Sequence, residues 1–243
     1  MGRALRFSIV VPMRDEAGAV QPLAEEIASA CAALGPFEAI FVDDASTDDT
    51  AARIRAARAA FPWLRGLHHA RASGQSAALR TGILAARAPL IVTLDGDGQN
   101  PPAEIPRLLA PLLGPEPRPA LVAGERRQRA DEPARRLLSS LANALRRALL
   151  GDGARDSACG LKAFPREVFL ALPYFDHMHR FLPALVRREG LEVTFIEVEH
   201  RPRMAGLSKY GTLPRALAGA VDLPGVWWLL RRRRLPGGVD EDP

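Results

Sequence analysis

The sequence predicts an α/β protein whose sheet is mainly parallel, doubly wound and flanked by helices, in the Rossmann-like manner. Short β-branched runs, such as 7–11 and 89–94, end at a proline or a polar turn and are typical of buried strands. Alanine-rich stretches with helical spacing, such as 17–34, separate these runs. Strands that alternate with helices pair in parallel, because each crossover helix returns the chain to the same end of the sheet. The 243 residues, of which 47% are hydrophobic, suit one domain with a sizeable core.

The expected elements follow one another in a regular order. Strands are expected over residues 7–11, 38–42, 67–69, 89–94, 120–123 and 191–198. Helices are expected over residues 17–34, 48–60, 74–86, 102–113, 134–150 and 181–188. Gly35-Pro36 ends the first helix, and Ser46 or Thr47 can cap the second.

The composition excludes several classes of protein and leaves one open question about charge. Two cysteines, Cys31 and Cys159, cannot form a disulfide framework or a four-ligand zinc site. The chain has 33 basic and 28 acidic residues. Only Lys162 and Lys209 are lysines, so 33 minus 2, or 31, of the basic residues are arginines. Arginine binds phosphate and carboxylate through a planar fork, but an arginine surplus also arises from codon bias, and both explanations stay open at this point.

Acidic residues follow three of the expected strands. The loops after the first, second and fourth strands carry Arg14-Asp15-Glu16, Asp43-Asp44 and Asp95-Gly-Asp97. Ligands of parallel α/β sheets bind at the carboxyl ends of the strands. The sequence therefore places the ligand site at one edge of the sheet, among carboxylates.

Asp95 and Asp97 are a candidate site for a divalent cation. The two carboxylates are separated by one glycine at a strand end, and Gln99 occupies the next alternate position. Mg²⁺ and Mn²⁺ favour such oxygen ligands and usually share them with substrate phosphates. The alternative is a polar turn that only ends the strand.

Two further motifs suggest contacts with a nucleotide. A carboxylate of Asp43-Asp44 can accept a hydrogen bond from a base N–H or a ribose hydroxyl, although aspartates at this place also begin turns and cap helices. The loop 200–211 is basic, and Arg203 and Lys209 can neutralise phosphates while Gly206 lets the backbone come close. A solvated basic loop is the alternative.

Taken together in this order, the motifs resemble those of a known family. They are Val10-Val-Pro-Met-Arg-Asp-Glu16, Val42-Asp-Asp-Ala-Ser-Thr-Asp48, Gly74-Gln-Ser-Ala-Ala-Leu-Arg-Thr-Gly82, Leu94-Asp-Gly-Asp-Gly-Gln-Asn-Pro-Pro102, Gly124-Glu-Arg126, Ser157-Ala-Cys-Gly-Leu-Lys-Ala-Phe164 and the loop from Arg203 to Lys209. The chain resembles family 2 glycosyltransferases of the GT-A fold, of the polyprenyl-phosphate sugar synthase type, and is similar to dolichol-phosphate mannosyltransferases. The resemblance covers residues 6–212.

The resemblance implies a role for each candidate residue. The nucleotide of a UDP- or GDP-sugar would be bound by Pro12, Arg14, Glu16, Asp43, Asp44 and Asp95. Mg²⁺ or Mn²⁺ would be held by Asp95, Asp97 and Gln99. The donor diphosphate would be neutralised by Arg203 and Lys209, which with Asp95 and Asp97 form the expected catalytic set. The acceptor phosphate would be bound by Arg126 and by Arg135 or Arg136. Asp15, Gly98 and Asn100 depart from the family pattern, which commonly has Asn, a larger apolar residue and His there, and these departures bear on which nucleotide and sugar are used.

The resemblance implies an inverting transfer, in which an acceptor oxygen attacks the anomeric carbon as the nucleotide diphosphate leaves. A hydroxyl acceptor needs a carboxylate base, whereas a lipid phosphate is already an anion. Arginines crowd residues 126–147 and no further carboxylate motif suggests a base, so the leading hypothesis is sugar transfer to a polyprenyl phosphate of the dolichyl or undecaprenyl type. The alternative acceptor is a hydroxyl of a glycan or lipid in cell-envelope biosynthesis.

Two alternatives lie outside glycosyl transfer. The first, a non-enzymatic nucleotide- or nucleic-acid-binding module, is disfavoured because carboxylates cluster where a polyanion would approach and no aromatics interleave the arginines, so no nucleic-acid partner is expected. The second, a sugar-nucleotide pyrophosphorylase, would begin with a glycine-rich loop, which 12–16 is not.

The C-terminal part suggests a membrane surface. Residues 213–230 are mostly apolar, but Arg215, Asp222 and two prolines interrupt them, so a transmembrane helix is not expected. Paired tryptophans followed by the four arginines 231–234 fit an amphipathic segment on anionic lipid, and a helix packed on the body is the alternative.

These observations give the expected organisation. The expected parts are a catalytic domain over 1–212, an amphipathic membrane-interface segment over 213–235 and a disordered tail over 236–243. Residues 1–8 lead into polar residues without the long apolar core of a signal peptide. The expected location is therefore cytoplasmic and peripheral, on the inner face of the cell membrane. His177 and His179 receive no assignment from the sequence.

Overall fold

The computed structural model describes residues 4–127, 146–203 and 212–234. The strands are β1 (Phe7–Met13), β2 (Phe37–Asp43), β3 (Leu64–His68), β4 (Leu90–Thr93), β5 (Leu121–Arg126), β6 (Lys162–Pro165) and β7 (Val193–Val198). The helices are α1 (Ala17–Cys31), α2 (Thr50–Ala60), α3 (Gln75–Ala85), α4 (Ile105–Leu113), α5 (146–150), α6 (Arg166–Ala171), α7 (Leu182–Arg188) and α8 (Thr212–Arg231). Short 3₁₀ turns lie at Pro102–Glu104 and Met178–Arg180.

The strands form one seven-stranded sheet in the order β3-β2-β1-β4-β6-β5-β7. β1 pairs in parallel with β2 and β4, β2 with β3, and β5 with β7. β6 is antiparallel to both of its neighbours, β4 and β5. The prediction of a mainly parallel sheet flanked by helices is confirmed. β6 is an addition, because the sequence pattern predicted no strand between residues 151 and 181.

Hydrophobic cores lie on both faces of the sheet. Ile9 and Val11 belong to the core on the side of α1, α2 and α4, while Val10 between them belongs to the core on the side of α3 and α7. Alternate side chains of a strand point to opposite faces, and all three are fully buried. A strand covered on both faces reads as a continuous apolar run, which is why the first strand is evident from the sequence.

α8 packs on the body along one side and leaves the other side open. Val226 is buried in the core that α3 and α7 share, and Trp227 packs against it. Val221 and Trp228 are 75% and 54% exposed. Within the described ranges, no helix combines the length and the apolar character that crossing a bilayer requires.

Several predictions fall partly or wholly outside the described residues. Arg135, Arg136 and Lys209 lie outside them, as does the tail 236–243. Of the helix expected over 134–150, residues 146–150 are described and are helical.

Candidate active site

A pocket of about 470 Å³ opens where β1, β2 and β4 end. It contains most of the predicted site residues that the structure describes. These are Pro12, Arg14, Glu16, Asp44, Asp95, Asp97, Gln99, Arg126 and Arg203. Asp43 is not among the lining residues. The topology explains the gathering, because parallel strands bring their carboxyl ends to one edge.

Asp95 lies at the centre of this edge. Its Oδ1 accepts a hydrogen bond from Gln75 Nε2 and its Oδ2 accepts one from Asn100 Nδ2, both at 2.8 Å. Burial raises the pKa of Asp95, and the negative charge of Asp97 raises it further. Gly160 packs directly on the carboxylate, and a Cβ at that position would overlap it.

Asp97 and Gln99 form the outer part of the same motif. Asp97 Oδ1 accepts a hydrogen bond from the backbone N–H of Gln99 at 3.0 Å. The side-chain amide of Gln99 lies 3.4 Å from Nε2 of His200, and the Gln99 carbonyl accepts a hydrogen bond from the backbone N–H of Arg201 at 3.1 Å. The loop after β7 is thereby attached to the loop after β4.

Arg203 bridges two of the predicted binding loops. Its Nη1 donates to Glu16 Oε1 at 2.9 Å, and its Nη2 lies 3.0 Å from Asp97 Oδ2. The guanidinium is thus positioned between the loop after β1 and the metal-site candidate. The sequence predicted Arg203 as a phosphate ligand, and the structure places it in the pocket with carboxylate partners.

Asp43 and Asp44 differ in their surroundings. Asp43 Oδ1 accepts a hydrogen bond from the Ser46 N–H of its own turn at 3.1 Å, and its Oδ2 lies 3.3 Å from Nδ1 of His68 on β3. Asp44 lines the pocket, but its carboxylate accepts three hydrogen bonds. The donors are the backbone N–H groups of Ser73 and Gly74, both at 2.8 Å, and His69 Nδ1 at 2.7 Å. Asp44 therefore connects the end of β2 to the residues just before α3 by hydrogen bonds.

Arg126 also lines the pocket and is paired with Asp156. Its Nη2 donates to Asp156 Oδ1 at 2.8 Å, and its Nε donates to Asp156 Oδ2. The ion pair with Asp156 raises the pKa of Arg126 even though burial opposes this. Arg126 is therefore a fixed positive charge at the pocket wall.

Lys162 is a buried cation near Asp95 that received no role from the sequence, and it does not line the pocket. It is 3% exposed in β6, and its Nζ donates to the carbonyl oxygens of Ser157 and Cys159. Burial lowers its pKa, while the negative charge of Asp95 acts in the opposite direction. The sequence feature that could have drawn attention to Lys162 is that it is one of only two lysines in a chain rich in arginine.

His179, unlike Lys162, lines the pocket, and it too received no role from the sequence. It lines the pocket from the 3₁₀ turn Met178–Arg180, and its Nδ1 lies 2.7 Å from Ser76 Oγ. Burial lowers the pKa of His179 well below its usual range, and the positive charges of Lys162 and Arg180 add to this. The ring is therefore neutral near pH 7.

The residues of the Asp95–Asp97 motif fit a divalent metal ion. The carboxylates lie close enough for Asp97 to raise the pKa of Asp95, a repulsion that a cation would relieve. Among the described residues no group of three or more His, Cys, Asp or Glu side chains has the geometry of a metal site. Two carboxylates match an ion such as Mg²⁺, which takes one or two protein carboxylates together with substrate phosphates and water.

Comparison with known proteins identifies the family. Residues 8–172 match glycosyl transferase family 2. The chain belongs to this family. The family match, the sheet and the pocket together confirm the resemblance inferred from the motifs, and they make the chain a glycosyltransferase.

Curated relatives are polyprenyl-phosphate sugar enzymes by name. The chain is 35% identical over 241 residues to the dodecaprenyl-phosphate galacturonate synthase of Rhizobium johnstonii, covering 97% of this chain and 70% of that protein. It is 34% identical over 209 residues to the undecaprenyl-phosphate 4-deoxy-4-formamido-L-arabinose transferase of Aeromonas hydrophila, covering 85% of this chain and 63% of that protein. The chain thus spans less than two thirds of that transferase.

Solved structures confirm the fold. Glucosyl-3-phosphoglycerate synthase from Mycobacterium tuberculosis, in complex with Mn²⁺, UDP and glucosyl-3-phosphoglycerate, superposes with a TM-score of 0.70. The sequences are 22% identical, and the match covers 93% of this chain and 80% of that one. The GT-A fold implied by the resemblance is therefore confirmed.

Proposed function

We propose that the protein transfers a sugar from a nucleotide-diphosphate sugar to a polyprenyl phosphate, using a divalent metal ion. One observation carries this proposal: a single pocket holds the paired carboxylates Asp95 and Asp97 together with the arginines Arg126 and Arg203. The carboxylates suit a metal ion on a diphosphate, and the arginines suit two anionic groups, the donor diphosphate and the acceptor phosphate. The names of the curated relatives support the same class of acceptor.

The donor is assigned to the half of the pocket near Asp95. Asp95, Asp97 and Gln99 would hold Mg²⁺ or Mn²⁺, which supplies charge stabilisation of the leaving diphosphate when bound. Arg203 would neutralise that diphosphate from the other side, with Lys209 as a second cation. Pro12, Arg14, Glu16, Asp43 and Asp44 are proposed for the nucleoside. The structural relative crystallised with Mn²⁺ and UDP supports a divalent ion and a uridine nucleotide as first probes.

The acceptor is assigned to the wall that carries Arg126. Every carboxylate that lines the described pocket has at least one partner: Glu16 has Arg203 at its Oε1, Asp44 has three N–H donors, Asp95 has two amides, and Asp97 has Gln99 and Arg203. This arrangement favours an acceptor that needs no deprotonation. A phosphate oxygen held by Arg126, with Arg135 or Arg136, attacks the anomeric carbon while the bond to the nucleotide diphosphate breaks with inversion.

A transfer assay tests the reaction and the acceptor together. Purified protein with Mn²⁺ is given UDP- and GDP-sugars, including UDP-galacturonic acid and GDP-mannose, and either polyprenyl phosphate or polyprenol. We expect nucleotide release and lipid-linked sugar with the phosphate and neither with the alcohol. Equal turnover with both lipids would contradict the proposal and indicate a hydroxyl acceptor.

A variant of Arg126 tests whether this side chain binds the acceptor phosphate. Arg126→Met should raise the KM for polyprenyl phosphate by about 10- to 100-fold and leave the Kd of the nucleotide sugar within about twofold, since a charge-assisted pair is worth about 1.5–3 kcal/mol. Arg118→Met is the matched control, because Arg118 lies in the loop after α4, paired with Glu116 and outside the pocket. An unchanged KM for polyprenyl phosphate would show that Arg126 does not bind the acceptor.

The location is proposed from α8. Trp228 and Val221 are exposed on this helix, and Arg231 and Arg232 lie over the rings of Trp227 and Trp228 at 3.9 and 5.3 Å. Exposed apolar side chains beside several arginines favour binding in the head-group region of anionic lipid. These features support a peripheral location on the membrane, and the cytoplasmic face is carried over from the sequence-based expectation.

A flotation assay tests this location. The double variant Val221→Ser, Trp228→Ser should lose most binding to vesicles with 30% anionic lipid while keeping the thermal stability of the wild type, because both side chains are exposed. The matched control is Leu170→Ser, another exposed apolar residue, which lies on α6. Equal flotation of the double variant and the wild type would contradict a membrane role for α8.

A further inference from the structure

We propose that His179 is a fixed hydrogen-bond donor to the sugar that is transferred, presenting its Nε2–H to an oxygen of that sugar. The inference rests on the proposed function, because it assigns a role within the same donor site. His179 is thus a residue that selects the donor sugar. It is not the base of the reaction.

The contact with Ser76 determines which ring nitrogen carries the proton. Ser76 is 1% exposed, and its Oγ accepts a long hydrogen bond, 3.5 Å, from the backbone N–H of His179. Within the described residues the only acceptor for the Ser76 hydroxyl hydrogen is His179 Nδ1, at 2.7 Å. A proton on Nδ1 would leave that buried hydroxyl hydrogen without a partner, which is costly. The Nδ1 lone pair is therefore used, and the proton of the neutral ring is on Nε2.

Nε2 is the ring nitrogen that remains for a ligand in the pocket. His179 lines the pocket, and no other hydrogen bond of its ring is found in the part of the chain that the structure describes. Lys162 and Arg180 place positive charge near the ring and oppose its protonation. A neutral ring with Nδ1 occupied can donate one hydrogen bond and can accept none, so it suits a hydroxyl or carboxylate oxygen.

A short chain of contacts connects His179 to the metal-site candidate. Ser76 is adjacent to Gln75 in the first turn of α3, and Gln75 Nε2 donates to Asp95 Oδ1 at 2.8 Å. If the donor diphosphate is bound at Asp95, the anomeric carbon follows one bond beyond its terminal phosphate. The sugar ring then lies against the wall formed by the start of α3 and the 3₁₀ turn. Sites that hydrogen-bond a substrate hydroxyl discriminate strongly against analogues that lack it.

Two variants separate the two ring nitrogens. In His179→Asn the side-chain carbonyl reaches the position of Nδ1 and can keep the Ser76 contact, but nothing replaces Nε2–H. In His179→Gln the amide group reaches the position of Nε2 and can restore a donor there. The pair therefore tests the donor while the fold is monitored by thermal denaturation.

Calorimetry with Mn²⁺ compares UDP with UDP-galacturonic acid and UDP-glucose, and GDP with GDP-mannose. For the nucleotide sugar that wild-type protein binds, we expect His179→Asn to weaken binding by about 3- to 10-fold and His179→Gln to restore part of it. The affinity for the corresponding nucleotide without the sugar should stay unchanged in both variants. An equal loss for nucleotide and nucleotide sugar, or no loss for either, would overturn the inference but leave the proposed function intact. Failure of wild-type protein to bind any of these nucleotides would overturn the proposed function, and the inference with it.

Long-range ¹H–¹⁵N NMR of the imidazole rings gives a readout that does not depend on turnover. The chain has five histidines, and the signals of His179 are assigned by their loss in His179→Asn. At pH 7 we expect a neutral ring protonated at Nε2, whose Nε2 shift moves with the nucleotide sugar and stays in place with the nucleotide alone. A charged ring, or one protonated at Nδ1, would overturn the inference.

Discussion

Two aspartates lie close together in the sequence at the end of β2 and again after β4, but the carboxylates of the two strands have different surroundings. Asp44, after β2, accepts three hydrogen bonds from N–H groups of neighbouring loops. Asp95, after β4, accepts two from side-chain amides and has the like charge of Asp97 beside it, which together with burial raises its pKa. The Asp44 charge is compensated by the fold itself, whereas the Asp95 charge is compensated only in part. The comparison indicates that Asp44 has a structural role in holding the pocket together, besides the nucleoside contact proposed for it, whereas the surroundings of Asp95 suit the proposed metal ion.

The largest expected effect is on activity at the end of β4. Asp95→Asn should lower the transfer rate by at least about 1000-fold, because it removes a charge that would hold the metal ion on the leaving diphosphate. The free energy of unfolding of the metal-free protein should change by less than about 1 kcal/mol, because the variant also removes the repulsion with Asp97. Transfer assays and urea unfolding measure the two quantities. A large loss of stability would show that Asp95 resembles Asp44 after all.

The next effect is on stability at the end of β2. Asp44→Asn turns an amide N–H₂ group toward N–H donors, so the free energy of unfolding should fall by about 2–3 kcal/mol. Urea unfolding measures this loss. The control is Asp49→Asn, an exposed aspartate of the same loop, which should stay within about 0.5 kcal/mol of the wild type. Equal stability of the two variants would show that the hydrogen bonds of Asp44 do not stabilise the fold.

A smaller effect is expected from the glycine that contacts Asp95. Gly160→Ala would push the Asp95 carboxylate aside, because the added methyl overlaps it, and the affinity for Mn²⁺ should fall by about 10-fold as a ligand is displaced. Gly114→Ala is the control, because the nearest atoms to its added methyl are backbone oxygens at 3.5 and 3.6 Å. Mn²⁺ titration by electron paramagnetic resonance measures both. Equal affinities would show that the loop around Gly160 adjusts.

The smallest effect is on the pH dependence of stability. The pKa of His179 is lowered in the folded state by burial, so the unfolded chain binds more protons than the folded one below about pH 6.5. The free energy of unfolding should therefore decrease as the pH falls below that value, by at most about 1.4 kcal/mol per pH unit from this residue. His179→Gln should be less sensitive to acid in urea unfolding at pH 7 and pH 5. An identical pH slope would show that His179 is not buried as a neutral ring.

The parallel half of the fold was predictable from the sequence because its signals are local. The run from Phe7 to Val11 is continuously apolar, since both faces of β1 are covered, and the Asp95-Gly-Asp97 motif follows a strand of the same kind. The topology rule then places the loops after these strands at one edge without any knowledge of long-range contacts.

β6 and its lysine were not predictable in the same way. Lys162–Pro165 has four residues, begins with a charged side chain and ends in proline, which is typical of a turn. It becomes a strand because β4 and β5 pair with it on both sides. The bridge from Arg203 to Glu16 is equally invisible locally, since 187 residues separate the two partners.

The segment around the 3₁₀ turn Met178–Arg180 contacts both α8 and the pocket. His177 Nδ1 lies 2.9 Å from Asp222 Oδ2 of α8, and His177 adopts a left-handed backbone conformation, with φ of 62°. One residue further along, Met178 is buried in the core, and the next residue is His179 in the pocket. The contact of His177 with α8 and the proposed sugar-binding ring of His179 are thus two residues apart on the same backbone segment. If α8 shifts when it meets a membrane, the His177–Asp222 contact is then one route by which that shift would reach His179, over two residues of backbone.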